Sequence, residues 1–352
     1  MKIGIVAGGS GGHIYPALTL ADGLLSRGHE VTFFGSNDRM EKDVIPSKGY
    51  PYVGLDVYTT RGSILQKIKS LTSIIDAYFK CKKLLKGFDV VIGFGNYISI
   101  PVVLGAHSLG IKTILHEQNS FVGRANRILD EKADFIIGSY EENLKQFKNK
   151  NIKILGNPQS SKALNISKDK KVIEEFGLDS NKKTVLIFMG SLGSESVNKV
   201  LLKYFKLLDG SYQVIYATGS SHYKTVLDNI SENSYLKIRE RVDGIKCMAS
   251  SDLLISRAGA TTIAEICALG SASILIPSPY VPNNHQYKNA MSLVNKDAAL
   301  IIEEKELDEN ILKKTVEDLL SDENRLKTLR ENARKLNNDG VLEDIIDVVE
   351  KI

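Results

Sequence analysis

The sequence predicts an α/β protein of two Rossmann-like halves, and three observations carry that prediction. Short apolar runs alternate with segments of helical periodicity almost throughout, the pattern of parallel sheets flanked by helices. The order strand, glycine turn, helix that opens the chain at Lys2 recurs from Lys183. The 352 residues also exceed what one core of the usual size organises, so two domains are expected.

Residues 2–7 read as a short buried strand. Ile14, Ala17, Leu18, Ala21, Leu24 and Leu25 then recur at helical spacing. Strands are expected at 31–34, 90–94, 113–116, 135–138 and 152–155. The segment 157–179 is polar and contains Pro158, which suits a linker and the first helix of a second half. That half starts with a strand at 184–189, a turn at 190–193 and a helix at 197–208. Further strands are expected at 213–217, 252–256 and 273–277, helices at 261–269 and 284–295, and several helices after Asp308. Open α/β sheets bind ligands at the carboxyl ends of their strands, so the residues that follow strands are the candidates for function.

Bulk properties exclude several classes. Net charge is +4, too mild to imply a nucleic-acid partner, and none is expected. Cys81, Cys247 and Cys267 are odd in number, far apart and in no metal-ligand spacing, so they read as reduced thiols of a cytosolic protein. The opening MKIGIVAGG is too short for the apolar core of a signal peptide. No run of about 18 apolar residues occurs, so a chain like this would meet a membrane by lying on it.

Five clusters carry chemistry. Gly8-Gly9-Ser10-Gly11-Gly12-His13 falls between the first strand and first helix. Glycines let backbone approach an anion, and a helix N-terminus offers free N–H groups, so a phosphate is expected there. No G-x-G-x-x-G register fits, and the second strand ends in Phe34-Gly35-Ser36 with no carboxylate for a ribose, which argues against a dinucleotide-dependent oxidoreductase. His13, kept neutral by the helix dipole, suits a general base for a hydroxyl, with Glu117 or His116 in reserve. The second cluster is Gly93-Phe94-Gly95-Asn96-Tyr97-Ile98-Ser99, and the third is Gly190-Ser191-Leu192-Gly193-Ser194. The fourth runs from Ser256-Arg257 to Glu265. Thr261 or Thr262 is expected to cap its helix, the N–H groups to hold a diphosphate, and Glu265 to take both ribose hydroxyls. The fifth, Asn283-Asn284-His285-Gln286, offers amides to sugar hydroxyls. No carboxylate pair or D-x-D motif is placed to hold a metal ion, and no metal or cofactor is expected.

Taken in order, GGSGGHIYPA, GFGNYIS, HEQNSFVGRAN, GNP, GSLGS, RAGATTIAEI and NNHQYKNA span essentially the whole chain. Together they resemble the MurG family of N-acetylglucosaminyltransferases, glycosyltransferase family 28, with its part in peptidoglycan synthesis, cell shape and division. The resemblance implies a GT-B fold, with two Rossmann-like domains facing across a cleft. Residues 1–157 would form the acceptor and membrane-associating half, joined by a last helix near 338–352, and 158–337 the UDP-GlcNAc half. It implies inverting transfer of GlcNAc from UDP-GlcNAc to a polyprenyl-diphospho-muramyl peptide, at the cytoplasmic face of the cell membrane. By resemblance, Ser10, Gly11 and Gly12 lie near the donor sugar, Asn119 contacts it, and Ser191 faces the phosphates. Val242 gives a backbone contact to uracil. Ala260, Thr261, Thr262, Ile263, Ala264 and Glu265 hold the diphosphate and ribose, and Gln286 binds the sugar. Gly95, Asn96 and Tyr97 would meet the acceptor. Three departures stand out. Gln159-Ser160 occupies a place where relatives often carry an arginine, Asn96 and Ile100 stand at common glycines, and Met189 and Ser194 replace the commoner Gly and Ala.

Residues 64–86 carry a helical stripe of Ile64, Leu65, Ile68, Leu71, Ile74, Ile75, Tyr78 and Phe79, with Lys67, Lys69, Lys80, Lys82, Lys83 and Lys86 around its ends. That combination suits an interfacial helix on anionic lipid, hence a peripheral membrane protein. Competing expectations are a UDP-sugar:diacylglycerol glycosyltransferase and a non-catalytic UDP-sugar-binding subunit.

Overall fold

The computed structural model describes residues 1–58, 64–190 and 193–352. It divides into two compact units, Met1–Ser161 with Gly340–Ile352, and Lys162–Asp339. The first boundary falls a few residues beyond the expected 157, because Gln159 and Ser160 are buried in the first unit, where Thr19 Oγ1 donates to Gln159 Oε1 at 2.9 Å.

The first unit is built on seven parallel strands: β1 (Lys2–Val6), β2 (Glu30–Ser36), β3 (Tyr52–Leu55), β4 (Val90–Gly93), β5 (Lys112–Glu117), β6 (Phe135–Gly138) and β7 (Ile152–Ile154). Their order is β3-β2-β1-β4-β5-β6-β7, so the winding reverses between β1 and β4. Ile3 and Ile5 point to one face, where they meet Ile14, Leu20 and Leu24 of the Gly11–Ser26 helix. Val6 and Val91 join the opposite cluster, with Val102 and Val103 of the Ser99–Ser108 helix. The last helix, Val341–Lys351, closes the first face with Val341, Ile345, Ile346 and Val349, each contributing about 1.5–3 kcal/mol of apolar burial. A Cβ at Gly23 would lie 2.8 Å from Ile346 Cδ1, so this glycine sets how closely the two helices approach.

The second unit has six parallel strands: β8 (Thr184–Phe188), β9 (Gln213–Ala217), β10 (Leu236–Arg239), β11 (Leu253–Ser256), β12 (Ser273–Leu275) and β13 (Leu300–Ile301). Their order, β10-β9-β8-β11-β12-β13, reverses between β8 and β11. Its core joins Val185, Ile187, Tyr216 and Ile255 to Val197 and Leu201 of the Glu195–Lys206 helix. The sequence reading had not placed β3, β10 or β13, which are short and lie at or near sheet edges.

The Ile64–Leu84 helix distributes its residues in an unusual way. Among the described residues its buried side chains are small, namely Ser70, Ser73, Ala77 and Cys81. Gly105, on the Ser99–Ser108 helix, admits a close approach, since a Cβ there would lie 3.2 Å from Cys81 Cβ. The large apolar residues Ile68, Leu71, Ile75 and Phe79 face outward, Leu71 and Phe79 each 59% exposed. Among the described residues no helix is long and apolar enough to cross a membrane. All three cysteines are buried as free thiols, with burial pushing each up to about 12.

Candidate functional sites in the two units

Each sheet places its glycine loops where its winding reverses. In the first unit the loop after β1 carries residues 8–13, and the loop after β4 carries 95–97. That is the position where open α/β sheets bind ligands.

Ser10 is the residue before the Gly11–Ser26 helix, in extended backbone, but its hydroxyl does not cap that helix. Ser10 Oγ instead lies 2.9 Å from His13 Nδ1. The other ring nitrogen is Nε2. It faces the second loop, lying 3.6 Å from where a Cβ on Gly95 would stand. The ring is half-buried, so a substrate can reach it. The structure thus brings Ser10, Gly11, Gly12, His13 and Gly95 to one end of the sheet. Tyr97 is half-buried beside them, and burial, reinforced by Asp38, raises its hydroxyl above the ordinary phenol range.

Two groups in these loops are engaged within the protein. The Gly9 N–H does not face an incoming anion, because it donates at 3.0 Å to the carboxylate of Glu41, which is 1% exposed. Asn96 turns its side chain into the protein. Its Nδ2 donates to Gly8 O at 2.8 Å, and its Oδ1 accepts from the Tyr97 N–H.

The geometry gives both reserve bases structural work. His116 is wholly buried and stacked on Phe94, its Nε2 at 3.0 Å from Gly156 O and its Nδ1 at 3.1 Å from Gln118 Nε2. Burial drives its pKa down to about 4, so it is a neutral structural ring. Glu117 is buried too, and desolvation raises its pKa against the pull of its hydrogen bonds. Its two oxygens accept from Asn119 N, Asn119 Nδ2, Gly123 N and Asn126 Nδ2 at 2.9–3.3 Å. This carboxylate folds the loop that carries Asn119, which Asn143 holds from the other side by donating to Asn119 O.

In the second unit the fourth cluster follows β11. Gly259, not a threonine, precedes the Ala260–Leu269 helix, and no side chain caps it. Thr261 and Thr262 lie inside the first turn, and Thr261 Oγ1 is buried without a hydrogen-bond partner. The Ile263 N–H donates to Gly259 O at 2.9 Å, and the Ala264 N–H falls within the helix ladder. The N–H groups of Ala260, Thr261 and Thr262 therefore lack helical carbonyls, which narrows the anion-holding part of the cluster to these three. Glu265 follows in the second turn, buried at 9% exposure. Val242 is half-buried in the loop after β10. Gln286, after β12, is half-buried, and its Oε1 accepts from the Ser278 N–H at 2.8 Å, which fixes the carboxamide and leaves Nε2 to donate. Asn283 and Asn284, both left-handed, turn the chain into the His285–Val294 helix. Ser191 lies outside the described residues.

Arg257 was quoted in the fourth cluster without a role. Its buried guanidinium donates to Ser194 Oγ at 2.6 Å and Ile276 O at 3.0 Å, and pairs with Glu304 at 2.6 Å. It thereby joins the segments that follow β8, β11 and β12. An arginine directly after a strand was the available signal. Its partners are far apart in sequence and could not be read. Among the described residues no three His, Cys, Asp or Glu side chains gather as metal ligands.

Comparison with known proteins places this geometry. The glycosyltransferase family 28 N-terminal domain matches residues 3–137, and the family 28 C-terminal domain matches 184–345. A protein of Pediococcus pentosaceus named UDP-N-acetylglucosamine–N-acetylmuramyl-(pentapeptide) pyrophosphoryl-undecaprenol N-acetylglucosamine transferase is 35% identical, over 100% of this chain and 99% of its own. The protein of that name from Halothermothrix orenii is 36% identical, over 99% and 98%. The crystal structure of Acinetobacter baumannii MurG has the same fold, with a TM-score of 0.80 at 24% identity, covering 100% of this chain and 99% of that one. With both domains of one family matched in order, and relatives alike from end to end, this chain belongs to glycosyltransferase family 28.

Proposed function

We propose that the chain transfers N-acetylglucosamine, with inversion, from UDP-GlcNAc to an undecaprenyl-diphospho-N-acetylmuramoyl-peptide. The observation that carries this reading is the end-to-end likeness to relatives whose names state that transfer. The second unit is read as the donor site. The N–H groups of Ala260, Thr261 and Thr262 take the diphosphate, Glu265 the ribose hydroxyls, Val242 the uracil, and Gln286 Nε2 the sugar. Ser191 is assigned to the phosphates by family resemblance alone. Asn119, Ser10, Gly11 and Gly12, in the first unit, are assigned to the sugar by family resemblance alone.

His13 is read as the base. For Nε2 to accept a proton, Nδ1 must carry one and donate it to Ser10 Oγ, and the hydroxyl is placed to accept it. As the acceptor oxygen attacks the anomeric carbon, the bond to UDP breaks, the proton moves to His13 Nε2, and the diphosphate takes up the departing electron pair. Helix N–H groups can stabilise that charge.

The outward stripe of Ile68, Leu71, Ile75 and Phe79, with Lys69, Lys80, Lys82, Lys83 and Lys86 on the same helix or just beyond it, is read as a peripheral seat on anionic lipid at the cytoplasmic face of the cell membrane. Large apolar groups turned outward while small ones face the core support that reading.

The test is turnover by the purified chain of UDP-GlcNAc against UDP-glucose, each with a polyprenyl-diphospho-muramyl peptide and with diacylglycerol. GlcNAc transfer to the muramyl peptide is expected. Preference for glucose and diacylglycerol would overturn the substrate assignment, and binding of UDP-GlcNAc without turnover would overturn the enzymatic one.

A further inference from the structure

The peptide group that joins Gly8 to Gly9 is held at both ends by side chains distant in sequence. Its C=O accepts from Asn96 Nδ2 at 2.8 Å, and its N–H donates to Glu41 Oε2 at 3.0 Å. Glu41 opens the Glu41–Ser47 helix, and its Oε1 accepts from the Ser36 N–H at 3.2 Å and from the Ser36 hydroxyl. The fit is close on every side. A Cβ on Gly8 would fall 2.4 Å from Glu41 Oε1, one on Gly35 would fall 2.9 Å from Glu41 Cγ, and one on Gly9 would fall 1.8 Å from Asn96 Nδ2. Gly9 has φ +84° and Asn96 φ +67°, conformations that serve this interlock.

A carboxylate that is 1% exposed is costly to bury unless hydrogen bonds offset the loss of water, and here the Gly9 N–H and the Ser36 N–H and hydroxyl supply them. What the carboxylate does, and an apolar group could not, is fix the orientation of one peptide plane. Only the Gly9–Ser10 peptide separates that plane from Ser10, whose hydroxyl holds His13 Nδ1.

We propose that Glu41 and Asn96 are positioning residues for the transfer, locking the Gly8/Gly9 peptide so that Ser10 and His13 meet the acceptor hydroxyl in a fixed geometry. This rests on the reading of His13 as the base. Released, the peptide plane rotates and carries the imidazole with it, and displacement of about 1 Å costs on the order of 10²-fold in rate. In Glu41→Gln the amide must present its NH₂ to either Gly9 N–H or Ser36 N–H, so one donor loses its partner. Asn96→Gly removes the other clasp, together with the bond from the Tyr97 N–H, and glycine keeps the positive φ.

The experiment is a double-mutant cycle between Glu41→Gln and His13→Ala, with kcat, donor KM and UDP affinity measured on each protein. Glu41→Gln should lower kcat by about 10–10²-fold, and Asn96→Gly should lower it less, with donor KM and calorimetric UDP affinity unchanged. In the His13→Ala background Glu41→Gln should cost little more, because its effect passes through the imidazole. A kcat within threefold of wild type, or full additivity with His13→Ala, would overturn the proposal. Should Glu41→Gln fail to fold, Ser36→Ala, which removes only one bond to Glu41, and Asn96→Gly enter the same cycle with the same outcomes. Near-normal kcat in His13→Ala alone would refute the base reading. The single clamp variants would then judge loop positioning by whether kcat falls while UDP affinity holds.

Discussion

Glu117→Gln separates structure from catalysis at the residue most easily mistaken for a base. Glu117 accepts four hydrogen bonds in the buried interior, two on each oxygen. Glutamine keeps one acceptor oxygen and turns its NH₂ toward the other two donors. If that NH₂ faces Gly123 and Asn126, the Asn126 carboxamide can rotate to accept it, since its Oδ1 has no partner. Asn126 Nδ2 would then leave His116 O, to which it donates at 3.1 Å. At least one buried group therefore goes unpaired, at about 1–3 kcal/mol. For a unit of this size roughly 2–4 °C of Tm accompanies each kcal/mol, so the melting temperature should fall by about 2–12 °C. Far-UV circular dichroism suits the assay, as the chain has no tryptophan. A base behaves the other way, with a stable fold and lost turnover. A Tm within 1 °C of wild type together with a kcat loss above 100-fold would refute the structural assignment.

The remaining predictions probe the sites and the membrane face. His13→Ala should lower kcat by about 10²–10⁴-fold with donor KM little changed, and steady-state kinetics at saturating acceptor checks it. Glu265→Ala should weaken UDP binding by about 1.5–3 kcal/mol, and unchanged calorimetric affinity would remove Glu265 from the ribose. His116 has a folded pKa of about 4 against an ordinary 6.5, so between those values the unfolded chain binds the proton and the folded chain does not. Its contribution therefore holds above pH 6.5 and is lost as pH falls toward 4, by about 3 kcal/mol. Relative to wild type, His116→Gln should flatten the fall of unfolding free energy over that window, and an unchanged slope would count against a buried neutral ring. Leu71→Ser and Phe79→Ser should each weaken binding to anionic vesicles by about 10-fold at low salt. Equal binding by wild type and both variants would mean that the stripe does not meet lipid.

Much of the fold was legible because buried parallel strands write continuous apolar runs. Lys2–Val6, Val90–Gly93 and Thr184–Phe188 are central in their sheets and were read nearly to the residue. Leu300–Ile301 is a two-residue edge strand, half-buried, and leaves no such signature. Periodicity located the Ile64–Leu84 helix but not its orientation. Ser70, Ser73, Ala77 and Cys81 look incidental in sequence, yet they are the face that packs, because a nearby glycine-containing helix leaves room only for small groups.

Site residues divided along the same line. A side chain that works within a few residues of its own position, as Ser10 does on His13, follows from local order. One that works through space does not. Glu41 lies 32 residues from the Gly9 N–H it holds, and Asn96 lies 88 from Gly8 O. Glycine content alone marks a loop where backbone must come close to something, and an anion is one such partner. Here the close partner of Gly8 and Gly9 is the protein's own carboxylate, so the N–H expected to greet a phosphate faces a negative charge instead. The groups left to meet a ligand begin one residue later, at Ser10. On the reading proposed above, the first loop aims His13 rather than holding charge, and the diphosphate falls to the N-terminus of the Ala260–Leu269 helix.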